Sequence, residues 1–163
     1  MGTVTFRDGA ITLGSGVLNG SGQATFATTA LSAGVHSITA EYVGTENVGA
    51  SVSSPASQSV GKAETATALT SSPNPSTPGQ TVNFVATVTG QYVGAATGTV
   101  TFKQGQNQVL GTASLVNGSA TLSLSTLRRG RHRLTAVYGG DANSNGSTSP
   151  AITQNVRRED RRR

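Results

Sequence analysis

From residue 62 onward the chain falls into short runs in which apolar and polar residues alternate. Val82, Phe84, Ala86 and Val88 share one parity, as do Val100 and Phe102, then Ala120, Leu122 and Leu124, then His132, Leu134, Ala136 and Tyr138. A period of two places successive side chains on opposite faces of a strand, so each run predicts a strand with one face buried. The expected strands are 65–71, 81–89, 98–103, 109–115, 119–125, 131–138 and 147–156. Turn residues separate them. Pro73, Pro75 and Pro78 end the first, because proline cannot donate to a ladder. Asn117-Gly118 predicts a two-residue type I′ hairpin, which needs positive φ twice, and Asn19-Gly20 predicts the same turn earlier in the chain. Phe84 marks 81–89 as a central strand.

Residues 1–61 repeat most of this pattern. Gly2-Thr3-Val4-Thr5-Phe6 returns 96 positions later as Gly98-Thr99-Val100-Thr101-Phe102. Leu31-x-x-Gly34-x-His36-x-Ile38-Thr39-Ala40-x-Tyr42-x-Gly44 returns at the same offset as Leu127-x-x-Gly130-x-His132-x-Leu134-Thr135-Ala136-x-Tyr138-x-Gly140, and Gln58-x-Val60 as Gln154-x-Val156. A constant offset over so many positions identifies two copies of one unit. They are unequal, because residues 62–97 have no counterpart ahead of Gly2. The expected organisation is a truncated repeat at 1–61 without its first two strands, a complete seven-stranded unit at 62–156 and a basic disordered tail at 157–163. Seven strands in about 95 residues with turns every 8–12 is the pattern of an all-β, antiparallel, immunoglobulin-like sandwich. Loss of a central strand exposes apolar surface and unpaired edges. Residues 1–61 are therefore expected to exchange strands with another copy, to stay loose, or to belong to a longer repeat protein.

Composition agrees. Of 163 residues, 21 are Gly, 24 Thr and 19 Ser; aromatics make 4%, and Cys and Trp are absent. This excludes helical bundles and coiled coils, disulfide scaffolds and most structural zinc sites. No run of eighteen apolar residues is present, so no helix is expected to span a membrane, and no signal peptide begins the chain. Without the disulfide and tryptophan of antibody domains, the core must rest on Val, Leu, Ala, Phe and Tyr.

The net charge of +5 is uneven. Residues 1–127 carry Arg7, Lys62 and Lys103 against Asp8, Glu41, Glu46 and Glu64. Residues 128–163 carry nine arginines against Asp141, Glu159 and Asp160. Arg128, Arg129, Arg131 and Arg133 cluster at one turn and strand; Arg157, Arg158, Arg161, Arg162 and Arg163 form the tail. Guanidinium forks suit phosphate and sulfate, which makes these nine the candidate polyanion-binding residues. Nucleic acid is disfavoured as the polyanion, because no nucleic-acid fold and no interleaved aromatics accompany them.

The other chemistry-bearing residues favour structural roles. His36 and His132 occupy one equivalent position at a strand start, with no cysteine nearby. Asp141, Asn143 and Asn145 supply too few carboxylates for calcium and suit a turn held by Asx side chains. The Asn-Gly-Ser sequons at Asn19, Asn117 and Asn145 fall in turns. Tyr42 and Tyr138, late in the penultimate strand, suit a tyrosine corner, with sugar stacking as the alternative. No Gly-x-Ser-x-Gly elbow occurs, and no enzyme activity, cofactor or metal is expected.

At the two repeated motifs, with Tyr138-Gly139-Gly140-Asp141-Ala142-Asn143 as a penultimate loop, the chain resembles the bacterial immunoglobulin-like (BIG-type) domain repeats of large surface and secreted proteins. The resemblance spans residues 2–60 and 62–156. It implies seven-stranded sandwiches in tandem outside the cell, acting as spacers or adhesion modules, with neighbouring repeats and a cell-surface glycan or protein as partners and no catalytic residues. In that frame Phe6, Phe102, His36, His132, Tyr42 and Tyr138 are framework positions. Two alternatives stand beside it: a polyanion-binding module acting through the arginines, and a gene fragment without a function of its own.

Overall fold

The computed structural model describes residues 2–91 and 96–158. Among them there is no helix, and the strands form three antiparallel sheets. The chain divides into two compact units, 1–61 and 62–163.

The second unit is a two-sheet sandwich. One sheet orders β10 (Ser119–Leu124), β7 (Val82–Gly90) and β6 (Thr65–Ser72). The other orders β9 (Gln108–Ser114), β8 (Thr99–Gln104) and β11 (Gly130–Tyr138), and β11 also pairs with β12 (Ser147–Thr148) and β13 (Ile152–Val156). The expected last strand, 147–156, is two strands, because Pro150 has no N–H to donate. Ser149 bridges the gap: its hydroxyl accepts from the Ala136 N–H at 2.9 Å and donates to the Pro150 carbonyl at 3.0 Å. Asn117 (φ 51°) and Gly118 (φ 76°) form the expected hairpin turn into β10.

The alternating positions meet between the sheets. Val82, Phe84, Ala86 and Val88 from β7 pack with Val100 and Phe102 from β8 and with Leu134, Ala136 and Tyr138 from β11; none is more than 4% exposed. A buried large apolar side chain stabilises a domain by roughly 1.5–3 kcal/mol, so these few residues supply a core without Trp or disulfide.

The first unit is a single five-stranded sheet. It orders β2 (Ile11–Val17), β1 (Thr3–Asp8) and β3 (Gly34–Tyr42), with β4 (Ser51–Val52) and β5 (Ala56–Val60) both on β3. This reproduces the β9-β8-β11-β12/β13 sheet in detail. The bulge after Phe6 matches the bulge after Phe102. The hydroxyl of Ser53 accepts from the Ala40 N–H at 3.0 Å, as that of Ser149 does from Ala136.

Two expectations fail here for one reason. Residues 23–28, the counterpart of β10, form no strand. In the second unit β10 hydrogen-bonds β7 alone, and no counterpart of β7 is present to carry the ladder. The loss thus extends from two strands to three. Asn19-Gly20 is also not a two-residue turn. The Gly22 N–H donates to the Asn19 carbonyl and the Asn19 N–H to the Gln23 carbonyl; Gly22 takes the positive φ, at 72°. One extra residue, 20–22 between Asn19 and Gln23 against 117–118 between Val116 and Ser119, and a flank with no ladder favour this longer turn, in which the Asn19 side chain accepts from the Ser21 and Gln23 N–H groups.

Candidate functional site

The two histidines occupy one location with different neighbours. In β11 the His132 ring contacts Gln104 Oε1 at 2.9 Å through Nδ1 and the Arg128 carbonyl at 2.6 Å through Nε2. In β3 the His36 ring contacts Asp8 Oδ2 at 2.6 Å and the Ser32 carbonyl at 2.9 Å. Asp8 and Gln104 are repeat equivalents. An amide can turn either its oxygen or its nitrogen to a ring, whereas a carboxylate only accepts. His36 therefore faces two acceptors. The hydrogen bond to Asp8 and then that to Ser32 raise its pKa above the ordinary 6.5, and the bond from His36 holds Asp8 below its ordinary 3.8. Both histidines are framework ties between a strand start and the preceding loop.

Asp141 closes the other end of the second unit. Its Oδ2 accepts from the Thr97 N–H and hydroxyl, both at 2.9 Å, and its Oδ1 from the Asn143 N–H at 2.9 Å. Three donors on one carboxylate depress its pKa far below 3.8, the Thr97 N–H contributing most. Both oxygens serve the loop, as the Asx-turn reading anticipates. Tyr138 is buried and donates its hydroxyl to the Thr97 carbonyl at 2.8 Å. That is the tyrosine-corner role, and it leaves no ring face for a sugar. Asn145 donates to Glu64 Oε1 at 2.8 Å.

The ladder brings together arginines that are far apart in sequence. Gly130 pairs with Val156, Arg131 with Asn155 and Arg133 with Thr153. Just past the last pair, Arg129 and Arg128 lead away from one strand and Arg157 and Arg158 from its neighbour, about 4.8 Å away across the sheet. All six side chains are exposed, and among the described residues none takes part in an ion pair. Arg161, Arg162 and Arg163 lie outside the described residues. What the six described arginines offer is an exposed cationic edge.

A family model for the bacterial Ig-like domain (group 3) matches residues 1–61 and 69–157. The chain belongs to this family. A search of curated proteins found no match. Among solved structures, the fibronectin(III)-like modules of Clostridium thermocellum CbhA are similar at 15% identity, covering 94% of this chain and 76% of that one with a TM-score of 0.44.

In this bacterial Ig-like chain the first unit holds a trough of about 400 Å³ floored by Val4, Ala40 and Tyr42 and rimmed by Leu18, Gly22 and Ser51–Ser53. Its floor residues are repeat equivalents of Val100, Ala136 and Tyr138, which are buried in the second unit but only half-buried here. Phe6 is also half-buried and stacks on Phe26, ring centroids 5.7 Å apart and 19° between planes. The repeat motifs place Phe6 and Tyr42 in the framework and Gln58 opposite Gln154, but give Ser51 and Asp8 no role. The repeat offset could have flagged both, since Ser51 aligns with Ser147 and Asp8 with Gln104.

Proposed function

We propose that the chain is a non-enzymatic, extracellular or cell-surface Ig-like repeat whose units act as structural spacers or adhesion modules beside neighbouring repeats. The observation that carries this reading is the tandem match of one bacterial Ig-like family to both units. The complete unit supports it. Its interior is filled by apolar side chains, and His132, Asp141 and Tyr138 are engaged in holding loops to strands. Such a unit transmits load and presents sheet faces. A cell-surface glycan or protein is the expected partner. The test is an immunoblot of fractionated native cells carrying an epitope tag at the chromosomal locus. Signal in the envelope or medium supports the proposal; signal confined to the cytosol overturns it.

The convergence of Arg128, Arg129, Arg131 and Arg133 with Arg157 and Arg158 on one edge favours polyanion binding as a second reading, toward an acidic glycan or a phosphate polymer. Neutralising several anionic groups gives affinity that falls steeply with salt. Arg→Gln replacement at all six positions should abolish retention on heparin at low salt. Unchanged retention would end this reading.

A further inference from the structure

The complete unit shows what covers the sheet that the first unit leaves open. Three features of residues 64–91 do this, and each has an unanswered counterpart in the first unit. The apolar row of β7 lies on Val100, Phe102, Leu134 and Ala136; the equivalents Val4, Phe6, Ile38 and Ala40 are half-buried. Thr65 and Thr67 of β6 hydrogen-bond the Ser147 hydroxyl at 2.8 and 2.7 Å; its equivalent Ser51 is exposed on the rim of the trough. The loop after β6 seats on β13. The Gln154 amide, fully buried, donates to the Pro73 carbonyl at 2.9 Å, and Ser76 exchanges backbone hydrogen bonds with Asn155 and Arg157. The equivalent Gln58 is exposed and donates to the adjacent Ser59 carbonyl.

The segment 23–28 adds a fourth feature. It crosses the sheet as β10 does, with Phe26 over Phe6 and against Gly14, where Leu122 lies against Gly111. Its backbone lacks the ladder that β7 gives β10. Apolar floor, hydroxyl rim, solvent-facing amide and unladdered segment all correspond to the one strand pair that closes the second unit.

We propose that the open face of the first unit is an acceptor for a β6–β7 strand pair of an Ig-like repeat. The donor's Thr-x-Thr edge meets Ser51, and its apolar row covers Val4, Phe6, Ile38 and Ala40. The donor's second strand ladders with 23–28 in the register that β7 holds on β10. This is strand addition with the specificity of alternate side chains. A second copy of residues 1–163 is a poor donor. Each copy has one such strand pair, already seated in its own second unit, so exchange would open one face for each it closed.

The test uses the full chain and a synthetic peptide of residues 62–91, with segment-resolved hydrogen exchange and sedimentation velocity. The expected result is a one-to-one complex in which exchange of 23–28 and 34–42 slows at least tenfold while 119–124 is unchanged. A Phe84→Asp, Val88→Asp peptide should give no protection. Ser51→Arg, an exposed change at the rim, should weaken binding at least tenfold while leaving the sheet folded. Three results would overturn the proposal: no change at 23–28 with saturating peptide, protection confined to 119–124 through displacement of the resident β6–β7, or a peptide-free dimer that already protects the first unit.

Discussion

Phe6 and Phe102 occupy equivalent positions in equivalent sheets, one facing an open trough and the other a closed core, so truncating each to alanine compares the two environments within one molecule. Phe102 is 0% exposed. Removing a fully buried phenylalanine costs about 3–5 kcal/mol, from lost transfer energy plus the cavity. A domain of this size holds roughly 5–15 kcal/mol in total, so Phe102→Ala should remove a large part of the second unit's stability. Phe6 is half-buried and stacked on Phe26. Half of a transfer term of about 1.5–3 kcal/mol, plus about 0.5–1 kcal/mol for the ring pair, predicts a loss of about 1.3–2.5 kcal/mol, with little cavity term because the site is open. Two units need not unfold together, so the assay must report on each. Urea titration followed by amide cross-peaks of Gly9 for the first unit and Gly105 for the second does this. With a slope of about 1 kcal/mol/M, the second unit's midpoint should fall by about 3 M or more in Phe102→Ala, and the first unit's by no more than about 2.5 M in Phe6→Ala. Equal losses would refute the claim that the two faces differ in burial.

Further outcomes follow from the loops and the titrating pair. Asp141→Asn should destabilise the second unit by about 1–2 kcal/mol at neutral pH by weakening the hydrogen bonds from Thr97 and Asn143. Because Asp141's pKa is depressed, its contribution is complete above 3.8 and fades as pH falls below that value. The wild type should therefore show an acid-labile component, read by thermal melts, that Asp141→Asn lacks. In the first unit His36 is raised above 6.5 and Asp8 lowered below 3.8. Their mutual stabilisation is thus present between those values, lost as pH rises through the folded pKa of His36 and lost again as pH falls through that of Asp8. An NMR titration should show the His36 pKa falling toward 6.5 in Asp8→Asn. Gly140→Ala should destabilise the 139–146 loop, since φ is +84° and an added Cβ would sit 2.7 Å from the Ser144 carbonyl oxygen; loss of Tyr138 burial, read by ultraviolet difference spectra, would report it.

Much of the fold was legible because its signals are local. The alternation of Val82 to Val88 and the Asn117-Gly118 turn each specify structure within a few residues of themselves, and the 96-residue offset carries those local signals from one unit to the other. What was not legible depends on partners. Residues 23–28 have the pattern of β10, yet a strand exists only where a neighbour completes its ladder. Pro150, with no N–H, divides the expected 147–156 strand into β12 and β13. The arginine edge required the register Gly130↔Val156, which no spacing along the chain reveals. Asp8 reached His36 by the same route, through the pairing of β1 with β3.

The central claim is that one chain holds a closed Ig-like sandwich and an open copy of half of it. Segment-resolved hydrogen exchange on the isolated full chain, at a concentration where it sediments as a monomer, tests this most directly. The account predicts strong protection of 119–124 and of 130–138, weaker protection of the equivalent 34–42, and none at 23–28. Equal protection of 23–28 and 119–124 would contradict it.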